Sequence, residues 1–315
     1  MANKKEIKRR IRSVKNIGQI TKALQMVSAV KMKKAQSALL VSNDYYHLME
    51  EMFAKLVTDI GADEIEAMLQ KRKNATVNKN VGIILITPTK GFAGSLISNL
   101  TQKTVEFIQK RTDNISYDNA EFVVFHTDEV TATDHDSVSI RLITVEKKGE
   151  SMAKYFAKDI LADFPRLSNP PTFEDAMPIA SIFVDAYAAG DFDEVYVIYT
   201  HFLSTFSQKA VIQQLLPLNY TEGKDQNDKE DRWYSYDEDK FTLFTNFYKT
   251  YLETKVFHAI LEAAASEYSA RMIAMQNATD NAASLRKDLI FAYNQKRQSD
   301  ITSEIAEITS ASETI

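Results

Sequence analysis

Cysteine is absent from all 315 residues. That excludes disulfides, thiolate zinc sites and cysteine nucleophiles, and it fits a reducing compartment. No window approaches the roughly 18 consecutive apolar residues of a membrane-spanning helix. The basic start, Met1-Ala2-Asn3-Lys4-Lys5-Glu6-Ile7-Lys8-Arg9-Arg10, is followed by no apolar stretch, so it does not read as a secretory signal. A helical pattern begins at once and leaves no room for an organelle transit peptide. Positive charge is not in excess. With 38 Lys and Arg against 43 Asp and Glu, net charge −5 and pI near 5.7, the chain is a poor candidate for a dedicated nucleic-acid binder.

Glycine and proline are scarce where it matters most. The first 60 residues hold only Gly18 and no proline, and nothing after Gly223 is either residue. Both residues punctuate structure, so the middle of the chain is segmented and the two ends are continuous. The N-terminal stretch places apolar or small residues at Ile7, Ile11, Val14, Ile17, Thr21, Leu24, Ser28, Met32, Ala35, Leu39 and Tyr46. The C-terminal stretch does so at Val256, Ile260, Ala263, Ala270, Ile273, Leu285, Leu289, Ala292, Ile305 and Ile308. Steps of mostly three and four predict helices with one packed stripe each, from about Asn3 to Thr58 and from about Phe241 to the end. At 1.5 Å per residue they would run roughly 80 Å and 110 Å. A domain of this size cannot bury such helices along their length, so they are expected to pack on each other as an antiparallel coiled coil. The longer C-terminal helix should project past its partner, and a lone helix in water needs a sheath.

The middle reads as alternating strands and helices. Strands are expected at 81–87, 121–125, 139–145, 194–200 and 211–216, and helices at 95–110, 151–161 and 176–189. That alternation predicts a small parallel or mixed sheet, a Rossmann-like α/β domain. The division is 1–60 for the first helix, 61–240 for the α/β domain and linker, and 241–315 for the last helix. Residues 220–240, with eight acids against four bases, form a solvated linker, and 61–80, 112–120 and 164–175 are polar loops.

Catalytic patterns are hard to find. Gly91-Phe-Ala-Gly94 sits where a nucleotide-binding domain cradles phosphate, but it completes neither G-x-G-x-x-G nor G-x-x-x-x-G-K-[ST]. A tight turn that lets helix and strand pack closely is the simpler reading. His47, His126, His135, His201 and His258 lack metal-ligand spacing, and Asp134-His135-Asp136 reads as a solvated loop. No G-x-S-x-G elbow occurs. Residues 1–34 carry eleven Lys or Arg against Glu6 alone, spread around the helix without aromatic interleaving. An acidic protein partner fits that better than nucleic acid or an anionic membrane. A nucleic-acid-associated coiled coil and a nucleotide-binding enzyme stand as the alternatives.

The segment Ile20-Thr-Lys-Ala-Leu-Gln-Met-Val-Ser-Ala-Val-Lys-Met-Lys-Lys-Ala35 closely resembles the first helix of F-type ATP synthase gamma subunits. Ala270-Arg-Met-Ile-Ala-Met-Gln-Asn-Ala-Thr-Asp-Asn-Ala283 and Tyr293-Asn-Gln-Lys-Arg-Gln-Ser-Asp-Ile-Thr-Ser-Glu-Ile-Ala-Glu-Ile308 resemble the last, and Asp193–Tyr199 and Leu215–Leu218 the family's sheet. The family's usual G-L-C-G-G-L stands here as Gly91-Phe-Ala-Gly-Ser-Leu96. Leu24 replaces a common methionine, and the regulatory cysteine pair of the chloroplast type is missing. The resemblance implies a rotor shaft between the membrane c-ring and a hexamer of three alpha and three beta subunits, with the epsilon subunit beside the α/β domain. It implies no catalytic site, metal or cofactor on this chain, the Mg-nucleotides being held by the hexamer. It implies that Lys22 and Leu24 face an acidic lever segment of beta, that Arg297, Gln298 and Thr302 hydrogen-bond beta-subunit loops, and that Ile305 and Ile308 turn in an apolar sleeve. Membrane contact would pass only through the c-ring, on the cytoplasmic face of a bacterial plasma membrane.

Overall fold

The computed structural model describes residues 4–60, 80–112, 139–156, 159–217 and 240–312. The expected strand at 121–125, His126, His135, and nearly all of the expected loops at 61–80 and 112–120 and of the 220–240 linker lie outside them. The chain forms ten elements in order: α1 (Lys4–Ile60), β1 (Asn80–Ile86), α2 (Leu96–Thr112), β2 (Ser139–Val145), α3 (Lys147–Tyr155), β3 (Asp159–Phe164), α4 (Phe173–Ala189), β4 (Glu194–Phe202), β5 (Gln208–Leu216) and α5 (Lys240–Ser312). Two compact units result. One holds Met1–Lys31, Phe92–Gly94 and Tyr268–Ile315, the other Met32–Gly91 and Ser95–Glu267.

The larger unit is built on a five-stranded mixed sheet in the order β3-β2-β1-β4-β5. Strands β1 to β4 are parallel, and β5 returns antiparallel to β4. Central β1 is buried at all but its first residue, as its unbroken apolar run requires of a strand covered on both faces. Its alternate side chains go to opposite layers. Ile84 and Ile86 join α1, α4 and α5 in one core, while Val81, Ile83 and Leu85 join α2 and α3 in the other. Gly82 makes the first core close. A Cβ there would stand 2.6 Å from Cε1 of Phe183 on α4.

Two expected helices shift. The pattern at 151–161 predicts one helix, but α3 spans Lys147–Tyr155 and the chain then pairs with β2 as edge strand β3. The reason is alternation: Asp159-Ile-Leu-Ala-Asp-Phe164 exposes every second residue, a strand's period at a sheet edge. Helix α4 begins at Phe173 rather than 176, because the Asp175 carboxylate accepts from the Thr172 backbone N–H (2.9 Å) and closes a capping box. Its end is set by Gly190 in the left-handed conformation, φ 83°.

Along α1, burial follows a strict seven-residue repeat. Ile7, Thr21, Ser28, Ala35, Ser42, Met49 and Leu56 are buried and Val14 is half-buried. A period of 3.5 residues marks a left-handed coiled-coil seam. The pairing is antiparallel in both units. In the smaller, Gly18 lies against Ala282, Thr21 bonds Thr279 (Oγ1–Oγ1 2.8 Å) and the Lys31 ammonium sits over the Tyr268 ring. In the larger, Asn43 meets His258, Lys255 meets Glu50 and Phe53 stacks on Tyr251. The expected stripe is corrected at two places. Ile17 and Leu24 are 50% and 36% exposed, and Gly18 and Gln25 stand toward the seam instead.

Candidate functional site

The smaller unit presents apolar side chains to solvent on both helices. On α1 these are Ile17, Ile20, Leu24 and Val27, at steps of three and four, with Met26 and Val30 beside them. This second stripe runs alongside the packed seam, and exposed apolar surface of this extent marks a partner. Lys22 lies exposed among these residues, its Nζ donating to Gln25 Oε1 at 3.1 Å. Sequence reasoning puts Ile17 and Leu24 in the seam and overlooks Ile20, Val27 and Val30. The seven-residue spacing of Thr21, Ser28 and Ala35 is the signal that separates the two stripes.

On α5, Arg297, Gln298 and Thr302 are exposed, and the Thr302 hydroxyl donates to the Gln298 carbonyl at 2.9 Å. Arg297, Ile301, Ile305 and Ile308 recur at helical spacing on one face, with the three isoleucines 44%, 59% and 70% exposed. Given the Gly18–Ala282 register, Lys4 falls opposite about Lys296, so Arg297–Ser312 have no facing turn of α1 among the described residues. The fold does not bring Lys22 and Leu24 to Arg297. They sit beside the turn of α5 near Thr279, roughly 25–30 Å away at 1.5 Å per residue.

In the larger unit, the sheet order reverses between β1 and β4. In doubly wound sheets the crevice outside the carboxyl ends at such a point is where ligands bind. Here α5 fills it. Ser266 Oγ donates to the Thr200 carbonyl at 3.0 Å, and the Glu262 carboxylate holds His201 Nδ1 at 2.8 Å. Glu267, 4% exposed, accepts the Thr89 N–H at 3.0 Å, the Lys90 N–H at 3.4 Å and the Thr89 hydroxyl at 3.4 Å. These side chains stand at the carboxyl ends of β1 and β4, where a doubly wound sheet would place a ligand. The Gly91–Gly94 turn is also not the close-packing device expected of it. A Cβ added at Gly91 or Gly94 meets nothing within 4 Å, and Gly94 is required instead for its φ of 61°.

Glu146, at the end of β2, is the anomaly of this region. It adopts φ 69°, ψ 160°, a conformation essentially confined to glycine, and its Oε2 is buried without a hydrogen-bond partner. Burial, and then the charge of Glu267, raise its carboxyl pKa above the usual range.

Three of the five histidines line one cleft of about 690 Å³ between α1, β4, β5 and α5. His258 Nε2 pairs with Asn43 Oδ1 at 2.8 Å and its ring stacks on Tyr46 at 4.2 Å. Burial lowers the His258 pKa and raises those of the Tyr46 and Tyr199 hydroxyls. Among the described residues no group of three or more His, Asp or Glu could hold a metal ion, and no helix is long and apolar enough to cross a membrane.

The family described as ATP synthase matches residues 3–315. An ATP synthase gamma chain of Dehalococcoides mccartyi is 35% identical over 308 residues, covering 98% of this chain and 97% of that one. The gamma chain of Chloroflexus aurantiacus is 34% identical over 311 residues, covering 98% of each. Among solved structures, a cryo-EM structure of the central stalk and c-ring of the Tetrahymena thermophila mitochondrial ATP synthase includes a chain of the same fold. It has TM-score 0.53 and 24% identity, and the match covers 82% of this chain and 99% of that one. With relatives matched from end to end, this chain belongs to the ATP synthase gamma-chain family.

Proposed function

We propose that this chain is the central rotor shaft of an F-type ATP synthase, transmitting rotation between a membrane c-ring and a hexamer of alpha and beta subunits. One observation carries the reading. The smaller unit is an antiparallel helix pair whose outer faces are apolar and basic, and its longer helix ends in an exposed run bearing Arg297, Gln298, Thr302, Ile305 and Ile308. Exposed apolar surface of this extent favours enclosure by a partner, and the curated relatives matched over 97–98% of their length are gamma chains. The Tetrahymena chain that shares the fold comes from a central stalk and c-ring assembly, which supports the same place in the complex. No feature of the relatives favours the nucleic-acid reading of the basic first helix.

On this reading Lys22 and Leu24 meet the acidic lever of beta, and Arg297, Gln298 and Thr302 bond beta-subunit loops. Ile305 and Ile308 turn in an apolar sleeve, where few directional bonds oppose rotation. The shaft has no symmetry to match a threefold hexamer, so each beta subunit meets a different face and takes a different nucleotide affinity. Rotation thereby supplies the differential free energy that a ligand supplies elsewhere. Catalysis and Mg-nucleotide lie on the hexamer, and this chain contributes no catalytic group or cofactor. The α/β unit meets epsilon and the c-ring, which holds the chain as a peripheral protein on the cytoplasmic face of a bacterial plasma membrane.

Co-expression with the cognate alpha and beta subunits tests the assignment: a stoichiometric complex with stimulated ATPase is expected, and its failure to form overturns it. In that complex, Arg297→Ala with Gln298→Ala should lower turnover or torque by up to about tenfold, the worth of one or two net hydrogen bonds. The isolated chain should stay folded. Unchanged turnover and torque would remove these contacts from the mechanism.

A further inference from the structure

The crevice at the carboxyl ends of β1 and β4 carries an inference of its own, independent of the rotor. The loop after β1 turns two successive backbone N–H groups, Thr89 and Lys90, and one hydroxyl toward a single point, and the Glu267 carboxylate occupies it. A buried carboxylate held by convergent amides is the arrangement by which backbone loops bind anions. The anion here arrives covalently attached, from a helix 178 and 177 residues along the chain. Glu146 sets the chemistry this point accepts. A second carboxyl group beside the first raises the cost of any further negative charge, which favours a monoanion over a phosphate dianion.

We propose that this crevice is a carboxylate-binding site whose resident ligand is the chain's own Glu267, and that it accepts a free monocarboxylate once that side chain is removed. The bound carboxylate latches α5 to the sheet, and the crevice stays closed to nucleotides because it is already filled.

The test uses the full chain with Glu267→Ala and acetate as the probe, sodium chloride and inorganic phosphate being the controls. Three outcomes are expected. Acetate raises the Tm of Glu267→Ala saturably while leaving the parent protein at the chloride baseline. Amide exchange at Thr89 and Lys90 is about tenfold faster in the variant, as loss of a charged acceptor requires. Acetate restores it. If Glu267→Ala does not fold, Glu267→Gln keeps an acceptor oxygen in place without charge. Its Thr89 and Lys90 amides should still exchange several-fold faster than the parent's, and acetate should have no effect. Exchange at these amides equal to the parent's in either variant, or a Tm response of Glu267→Ala that chloride or phosphate reproduces, overturns the proposal.

Discussion

The backbone at Glu146 offers a measurement in which the ordinary order of two residues should reverse. Outside helices, alanine normally stabilises over glycine by about 0.4–1 kcal/mol, because it restricts the unfolded chain. Position 146 sits at φ 69°, ψ 160°, where a Cβ costs roughly 1–3 kcal/mol. Subtracting the first effect from the second leaves Glu146→Gly more stable than Glu146→Ala by roughly 1.3 kcal/mol at mid-range, within a span of about 0–2.6 kcal/mol. Urea unfolding of the two variants at one pH reads this directly. For a chain of this length the midpoint difference should exceed the scatter of the method, provided the slopes agree. The parent residue adds a pH-dependent part. Its carboxyl pKa is raised in the folded state, so the native protein holds a proton there more tightly than the unfolded chain does. Stability from this group is therefore full below the ordinary carboxyl pKa and is lost as pH rises through the raised value. Glu146→Gln should gain on the parent as pH climbs from about 4.5 to 8, and the gap should close again in acid. If alanine is more stable than glycine at this position, the strain is not real. A Gln–Glu gap that does not change with pH would show that the burial of this carboxyl group carries no cost.

Gly82→Ala places a methyl group 2.6 Å from the Phe183 ring, and overpacking of this kind costs about 1–3 kcal/mol in thermal or urea unfolding. Adding Phe183→Leu should recover part of the loss, and additive losses would place the clash elsewhere. His258 has a pKa lowered mainly by burial, so the folded state binds fewer protons than the unfolded one below the ordinary histidine pKa. Stability should fall as pH drops from about 7.5 to 5.5, and His258→Gln should flatten that slope while keeping a donor for Asn43. Nuclear magnetic resonance titration of the His258 ring gives the independent check.

How much of this is legible in the sequence depends on how far apart the cooperating residues lie. The long helices are legible because missing glycine and proline act locally, and β1 because Val81–Ile86 is apolar without interruption. The seam misleads at Ile17 and Leu24, since hydrophobicity favours Ile17 over its neighbour Gly18 and Leu24 over Gln25. A close helix pair selects small side chains, and a transfer scale does not see that. Strand β3 reads as a helix end because its six residues, two of them polar, do not alternate in hydrophobicity, and only pairing with β2 decides an edge strand. The filled crevice leaves no local signal at all, because Thr89 and Glu267 meet only once the sheet exists. The residues singled out by resemblance are all exposed, so nothing in the fold of this chain alone distinguishes them from other surface residues.

The small seam residues matter for dimension as well as for stability. An added Cβ at Gly18 would still clear the Ala282 Cβ by 3.5 Å, so alanine fits there and anything larger would force the helices apart. Interaxial distance in helix pairs follows the side chains at the crossing, over about 8–10 Å. The seam therefore sets the gauge of the rod, and a bearing is specified by its clearance. A leucine at Gly18 would leave every outward-facing residue unchanged and still thicken the part that has to turn.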